Sequence, residues 1–216
     1  MNLKIKPEIR WFKGLERKGP HNKDIISIIF GSLLANAHGE KGLLWEGTKF
    51  KFSQKGVHVT YILFIYKQLS ELGYCNSNLP SFRIKLCSKG KLKRVVKFST
   101  WSYWSFNWIY DLWYNNKIKH VPKCIEKYLT PLALAIWIMN NGAKIHGKFK
   151  INMYLFSYDD CLLIIKALNN NFNIKASIQS AGKKDQYMIC ICKESMINLK
   201  NIVSPYIIPE MKYKFN

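Results

Sequence analysis

Two short stretches of this chain leave themselves no polar face. Residues 23–35 (KDIISIIFGSLLA) and 131–140 (PLALAIWIMN) are apolar nearly all round at helical length. A helix without a polar stripe must be buried, so any fold of this sequence has to place both in a core. Small residues sit on each: Gly31 and Ala35 four apart on the first, Ala133 and Ala135 on the second. Such residues let two helix backbones approach closely. The second stretch is well punctuated, with Thr130 as N-cap, Pro131 at the first helical position and Gly142 just past the end.

Each apolar helix is followed by a similar pattern. After the first, the sequence predicts strands near Leu43–Phe52, a helix near Val57–Leu72, strands near Phe82–Leu86 and Arg94–Phe98, and an aromatic helix over Tyr103–Tyr114. After the second, alternating segments Ile145–Lys150 and Ile151–Phe156 lead to Ser157-Tyr158-Asp159-Asp160, a capping-box pattern that opens a helix through Cys161–Asn169. Strands near Asn173–Gln179 and Gln186–Cys192 and a short helix near Glu194–Ile202 complete it. Asn36 and Asn141 hold matching places, 105 residues apart. That period means two similar subdomains and not a solenoid. The expected organisation is α+β: a basic N-terminal arm (1–22), a first repeat (23–114), a basic linker containing Pro122 (115–128) and a second repeat (129–216).

Charge narrows the function. Lys and Arg number 34 against 13 Asp and Glu, a net charge of +21. So large a charge repels itself unless a polyanion neutralises it, which points to nucleic acid or an anionic membrane. The longest apolar runs, Ile25–Ala35 and Pro131–Met139, fall short of the roughly 20 residues needed to span hydrocarbon. Met1–Pro20 carries six cations but no apolar segment, so it reads as a basic arm and not a secretory signal. No amphipathic Lys/Trp helix suits a membrane surface. Nucleic acid is the expected partner.

The strands say where it would bind. Lys49-Phe50-Lys51-Phe52, Phe82-Arg83-Ile84-Lys85-Leu86 and Lys148-Phe149-Lys150-Ile151 alternate cation and apolar side chain. Successive side chains on a strand face opposite sides. One face should pack on helices while Lys49, Lys51, Arg83, Lys85, Lys148 and Lys150 form a basic surface, the footprint of a nucleic-acid binder. In the run Trp101–Trp113, Trp101, Trp104, Trp108 and Trp113 are expected to divide between core packing and stacking on unpaired bases. The six cysteines (Cys75, Cys87, Cys124, Cys161, Cys190, Cys192) form no CxxC. Cys190 and Cys192 alternate as same-face strand neighbours. All six read as thiols of a reducing compartment, with neither metal nor cofactor implied. Richness in Asn, Lys and Ile suggests an AT-rich genome such as a mitochondrial one.

Five motifs, in order, carry a resemblance. Gly31-Ser32-Leu33-Leu34-Ala35-Asn36-Ala37-His38 resembles G-x-L-x-G-D-A-H. Lys119-His120-Val121-Pro122 resembles K-x-I-P. The segment from Leu129 to Gly142 (LTPLALAIWIMNNG) resembles L-T-P-x-x-L-A-x-W-x-M-D-D-G. Phe156-Ser157-Tyr158-Asp159-Asp160 resembles F-S-x-E-E, and Ile208–Lys214 (IPEMKYK) resembles I-P-x-M-x-Y-K. Together they resemble the single-chain, two-repeat LAGLIDADG homing endonucleases and maturases over about residues 24–216. The resemblance implies two pseudo-symmetric αββαββα halves packed through the paired helices, with two antiparallel sheets forming a basic saddle, and no need of a homo-oligomer. It also implies an Asp at the end of each paired helix, holding divalent metal for phosphodiester hydrolysis. Such chemistry needs a metal to activate water and neutralise the leaving oxygen, and Mg²⁺ wants anionic oxygen ligands.

Here Asn36 and Asn141 stand at both acidic positions, and Asn140 replaces a further acid. Neutral amides remove the electrostatic reason for a metal to bind, so no catalytic residue and no metal are expected. Lys119 and Lys214, the basic positions that accompany catalysis in the family, are kept and fit phosphate contact without cleavage. Met153-Tyr154-Leu155 replaces a polar stretch that reads DNA bases in the family. The expected protein binds structured RNA in preference to duplex DNA. It would do so either as a group I intron maturase or as a structural part of a ribonucleoprotein such as the mitochondrial ribosome, beside other subunits, in the mitochondrial matrix. The second reading is a site-specific double-stranded DNA endonuclease, working through an Asn site or carried as an Asp-to-Asn inactivated form.

Overall fold

The computed structural model describes residues 16–43, 47–86, 90 and 92–215. In chain order these form α1 (Lys23–Leu34), β1 (His38–Lys41), β2 (Thr48–Lys55), α2 (Val59–Glu71), β3 (Phe82–Leu86), β4 (Leu92–Ser99) and α3 (Asn107–Trp113). A hairpin β5 (Tyr114–Asn115)/β6 (Ile118–Lys119) and α4 (Ile125–Tyr128) follow. The second series is α5 (Pro131–Asn141), β7 (Gly142–Ile145), β8 (Lys148–Asn152), α6 (Tyr158–Phe172), β9 (Ala176–Ser180), β10 (Tyr187–Ile191) and α7 (Met196–Val203). The predicted order of helix, two strands, helix, two strands, helix is present twice. Each repeat builds one antiparallel four-stranded sheet, ordered β1-β2-β4-β3 and β7-β8-β10-β9.

By packing, the chain divides into two units. One contains residues 16–21 with Asn36–Tyr110, and the other Asn22–Ala35 with residues 111–215. The apolar helix α1 thus belongs with the second unit, because its partner is α5. Ile25, Ile29, Phe30 and Leu33 of α1 and Leu134, Ile136, Trp137 and Ile138 of α5 are fully buried. Each such side chain contributes about 1.5–3 kcal/mol of burial. Gly31 sets the helix separation: a Cβ there would lie 2.9 Å from the Cα of Ala133, inside that residue's backbone. Alongside, the Thr130 hydroxyl donates to Ser27 Oγ at 2.8 Å, and Ser27 donates to Lys23 O at 2.9 Å.

Local chemistry fixes the helix ends. Thr130 Oγ1 accepts from Ala133 N at 3.1 Å, with Pro131 in the first turn. Ser157 and Asp160 close both halves of the capping box, and α6 ends at Asn173 in the left-handed region (φ 51°). Asp160 has a second role, accepting from Val121 N at 2.7 Å and so tying the linker to the start of α6.

Several details depart from the sequence reading. The first strands of both repeats start earlier than predicted: β1 begins at His38, ahead of the Leu43–Phe52 segment, with β2 running on to Lys55, and β7 and β8 span Gly142–Ile145 and Lys148–Asn152 in place of Ile145–Lys150 and Ile151–Phe156. The linker is structured: Asn116 and Lys117, both at positive φ (49° and 64°), turn the β5/β6 hairpin, and α4 follows. The arm is anchored where it is described. Arg17 donates to Ser102 O at 2.9 Å and lies 5.4 Å over the Trp101 ring. His21 bridges Tyr74 Oη (3.0 Å) and Ser105 Oγ (2.7 Å) and packs against Phe106. Burial there pulls the His21 imidazole below its usual pKa. The remainder of the predicted arm, 1–15, lies outside the described residues. None of the described helices is long and apolar enough to cross a membrane.

Candidate nucleic-acid interface

Strand β2 alternates as predicted. Phe50 and Phe52 are buried, while Lys49 and Lys51 stand on the other face. Register extends that face across the first sheet. Lys51 opposes Ser99, Ser53 opposes Lys97, and Lys55 opposes Val95, which in turn opposes Arg83. Lys49, Lys51, Lys55, Lys97 and Arg83 therefore share one face, with Val95 buried among them. Glu40 is the acid on it: its carboxylate reaches Lys51 at 2.5 Å and Lys49 at 3.2 Å. Hydrogen bonds from Lys51 and then Lys49 hold the Glu40 carboxyl below its ordinary pKa. Lys85 opposes Lys93 at the next register position; its side chain lies outside the described residues.

Sequence reading missed Lys55 and Lys97. Lys55 continues the period-two pattern of β2, whereas Lys97 joins the face only through strand pairing, which sequence does not reveal. The expected helix cover is also incomplete on β3. Phe82 and Ile84 are 55% and 70% exposed, because β3 is an edge strand while α2 packs on β2 and β4.

The matching face of the second sheet is chemically different. Lys148, Lys150 and Asn152 of β8 share it with Ala143 and Ile145 of β7, Met188 and Cys190 of β10, and Ser177 and Gln179 of β9. Two lysines among small, apolar and amide side chains make a weakly basic surface. Beside it the Tyr154 hydroxyl contacts Met188 Sδ at 3.9 Å, and Leu155 is exposed.

At the ends of the paired helices lie the residues in the acidic positions. Asn36 is exposed just past α1, and Asn141 is the last residue of α5. Asn141 donates its Nδ2 to Asn152 O at 3.0 Å, pinning the end of α5 to the end of β8. This donor set does not fit the divalent metal the family implies. Asn36 and Asn141 offer only neutral amide oxygens, and hard dications are held by carboxylates. Among the described residues, no three His, Cys, Asp or Glu side chains are gathered for a metal.

Lys119 and Lys214 sit at these helix ends rather than on a sheet face. Lys119 Nζ donates to Ala35 O, the C-cap of α1, at 3.4 Å and lies over the rings of Phe156 (5.4 Å) and Trp113 (5.9 Å). Lys214 is buried and donates to Gly142 O, the C-cap of α5, at 2.7 Å. Each cation thus meets the negative end of one helix dipole. Burial lowers the Lys119 ammonium to a pKa of about 7 and that of Lys214 to about 8. Among the tryptophans, Trp113 is fully buried, while Trp104 and Trp108, one helical turn apart, are 40% and 39% exposed.

Comparison with known proteins agrees with this fold. Residues 26–199 match the LAGLIDADG DNA endonuclease family. A cytochrome b mRNA maturase (bI2) of Saccharomyces cerevisiae is 45% identical over 203 residues, 91% of this chain and 48% of that protein. The Debaryomyces hansenii protein of the same name is 38% identical over 195 residues, 90% of this chain and 74% of that protein. The chain therefore spans about half the length of the first relative and three quarters of the second. The structure of the homing endonuclease I-WcaI bound to its DNA recognition sequence superposes with a TM-score of 0.80 at 23% identity, over 96% of this chain and 89% of that one. Variants of the homing endonuclease I-DmoI superpose at 0.53 and 15% identity, over 88% and 96%. These two likenesses show the fold, and with the sequence match they make the chain a two-repeat member of the LAGLIDADG family.

Proposed function

We propose that this protein is an intron maturase that binds structured RNA and does not cut DNA. The observation that carries the reading is the pairing of neutral amides, Asn36 and Asn141, at the helix-end positions with the basic face of the first sheet. Binding needs the cations; hydrolysis would need anionic ligands for a metal. In this reading Lys49, Lys51, Lys55, Lys97 and Arg83 contact phosphates, Lys85 extends the surface, and Lys148 and Lys150 add a weaker contribution. Lys119 and Lys214 hold the helix ends.

Two relatives bearing the name cytochrome b mRNA maturase support a group I intron as the RNA over residence in a mitochondrial ribosome. They also support synthesis and action inside the mitochondrion. The second reading, a DNA endonuclease, draws on relatives such as the Dictyostelium discoideum intron-encoded endonuclease ai4, 34% identical over 155 residues.

Two measurements separate the readings. Incubation with Mg²⁺ or Mn²⁺ and a plasmid library should leave the DNA intact; a site-specific double-strand break overturns the non-cleaving reading. Affinities for folded intron RNA and duplex DNA, measured at matched salt because phosphate contacts are strongly salt-dependent, should favour the RNA. Equal affinities overturn the RNA preference.

A further inference from the structure

The last turns of the second unit form a pocket that the sheet faces do not account for. It has a volume of about 230 Å³ and is lined by Lys200, Ser204, Ile207, Lys212 and Phe215. No carboxylate lines it, and neither lysine is paired with one among the described residues. Its apolar floor is fixed: Ile207 is buried, and Phe215 stacks on the buried Phe149 of β8, with centroids 5.2 Å apart and planes 11° apart. Between these two residues, Lys214 is anchored on Gly142 O. Ser204 spends its proton on Lys200 O, so its Oγ is left to accept a hydrogen bond from a ligand.

We infer that this pocket holds one ribonucleotide of a bound RNA. Lys200 and Lys212 take the phosphate, Ser204 Oγ accepts from the ribose 2′-hydroxyl, and the base lies against Phe215. The chemistry matches feature by feature: two unpaired ammonium groups for a phosphate, a hydroxyl acceptor for the group that distinguishes RNA from DNA, and a ring for stacking. The volume is small beside the roughly 300–1,000 Å³ of pockets that enclose drug-sized ligands, so it can hold one nucleotide in part and excludes a helix. This site deepens the RNA-binding reading above and rests on it.

The test is a titration of the full chain, labelled at isoleucine methyls and lysine side chains, followed by NMR. AMP should shift Ile207, Lys200 and Lys212 in a saturable way, with dAMP and inorganic phosphate binding more weakly. The K200A/K212A variant should bind AMP about tenfold more weakly while keeping its thermal midpoint, since both side chains are exposed. Absence of AMP shifts, or AMP binding unchanged in K200A/K212A, overturns the proposal. Phosphate binding as tightly as AMP reduces the pocket to an anion site and overturns it too, and equal binding of dAMP overturns the sugar contact. An intact AMP site in a chain that fails to bind intron RNA instead sinks the maturase reading.

Discussion

The two sheets share strand order and pairing, yet they have opposite priorities. The first presents Lys49, Lys51, Lys55, Lys97 and Arg83 on one face, where Glu40 pairs with Lys49 and Lys51. The second presents Lys148 and Lys150 among Ala143, Ile145, Met188 and Cys190. The unit holding the second sheet instead contains the fully buried helix pair, the two lysines at the helix ends and the Asp160 tie. The two sheet faces thus differ in charge, while the buried helix pair, one helix from each repeat, lies with the second sheet. Damage to the first sheet should therefore appear in affinity, and damage to the second unit in stability.

That contrast can be broken at several points. Gly31→Val forces a branched side chain into the Ala133 backbone, a case of overpacking with nowhere to relax. It should cost about 3 kcal/mol or more and leave little folded protein in a thermal melt; a near-normal melting temperature would show that α1 and α5 can separate freely. Reversing Lys49, Lys51 and Arg83 to Glu should weaken RNA binding by on the order of 100-fold and lower the salt slope by about one per lost contact. Reversing Lys148 and Lys150 should do clearly less. Equal losses in the two variants erase the proposed asymmetry.

Smaller effects sharpen the picture of the helix ends. Asn141→Asp replaces the donor to Asn152 O with an anion at a helix C-terminus, where negative charge is unfavourable. Chemical denaturation should register a loss of about 1–3 kcal/mol; no loss would mean the amide is not holding the helix. Lys119 and Lys214 have pKa values of about 7 and about 8 when folded, against an ordinary 10.5. Between those values and 10.5 the unfolded chain binds more protons than the native one, so stability rises with pH. Below pH 7 the full penalty of burying both charges is present. Each group contributes a slope of at most about 1.4 kcal/mol per pH unit, and unfolding of Lys119→Met and Lys214→Met variants should show it flattened between pH 8 and 10.

What could be read from the sequence was local. Thr130-Pro131 and Ser157-x-x-Asp160 announce their helices because the capping atoms lie within three residues of the groups they satisfy. Gly31 and Ala133 betray a close helix contact because only small side chains permit one. Long-range pairing decided what was missed. Phe82 and Ile84 look like core residues until β3 is placed at the sheet edge. Lys97 joins the basic face only through its register with Ser53. Lys119 and Lys214 reach the α1 and α5 carbonyls only through packing that brings residues 84 and 72 positions apart together. Asn116 and Lys117 did carry a signal, since Asn tolerates the left-handed turn that closes the β5/β6 hairpin.

The membership of α1 in the second unit has a genetic consequence. The covalent chain leaves that unit after Ala35 and re-enters it at Asp111, so the tandem repeats of the sequence are not its packing units. A gene severed in the β5/β6 turn would yield one polypeptide with its greasiest helix bare and another missing the helix that packs on α5. Each alone should precipitate, because large uncovered apolar surface drives aggregation. Made together they should rescue one another, a ready basis for a two-piece reporter.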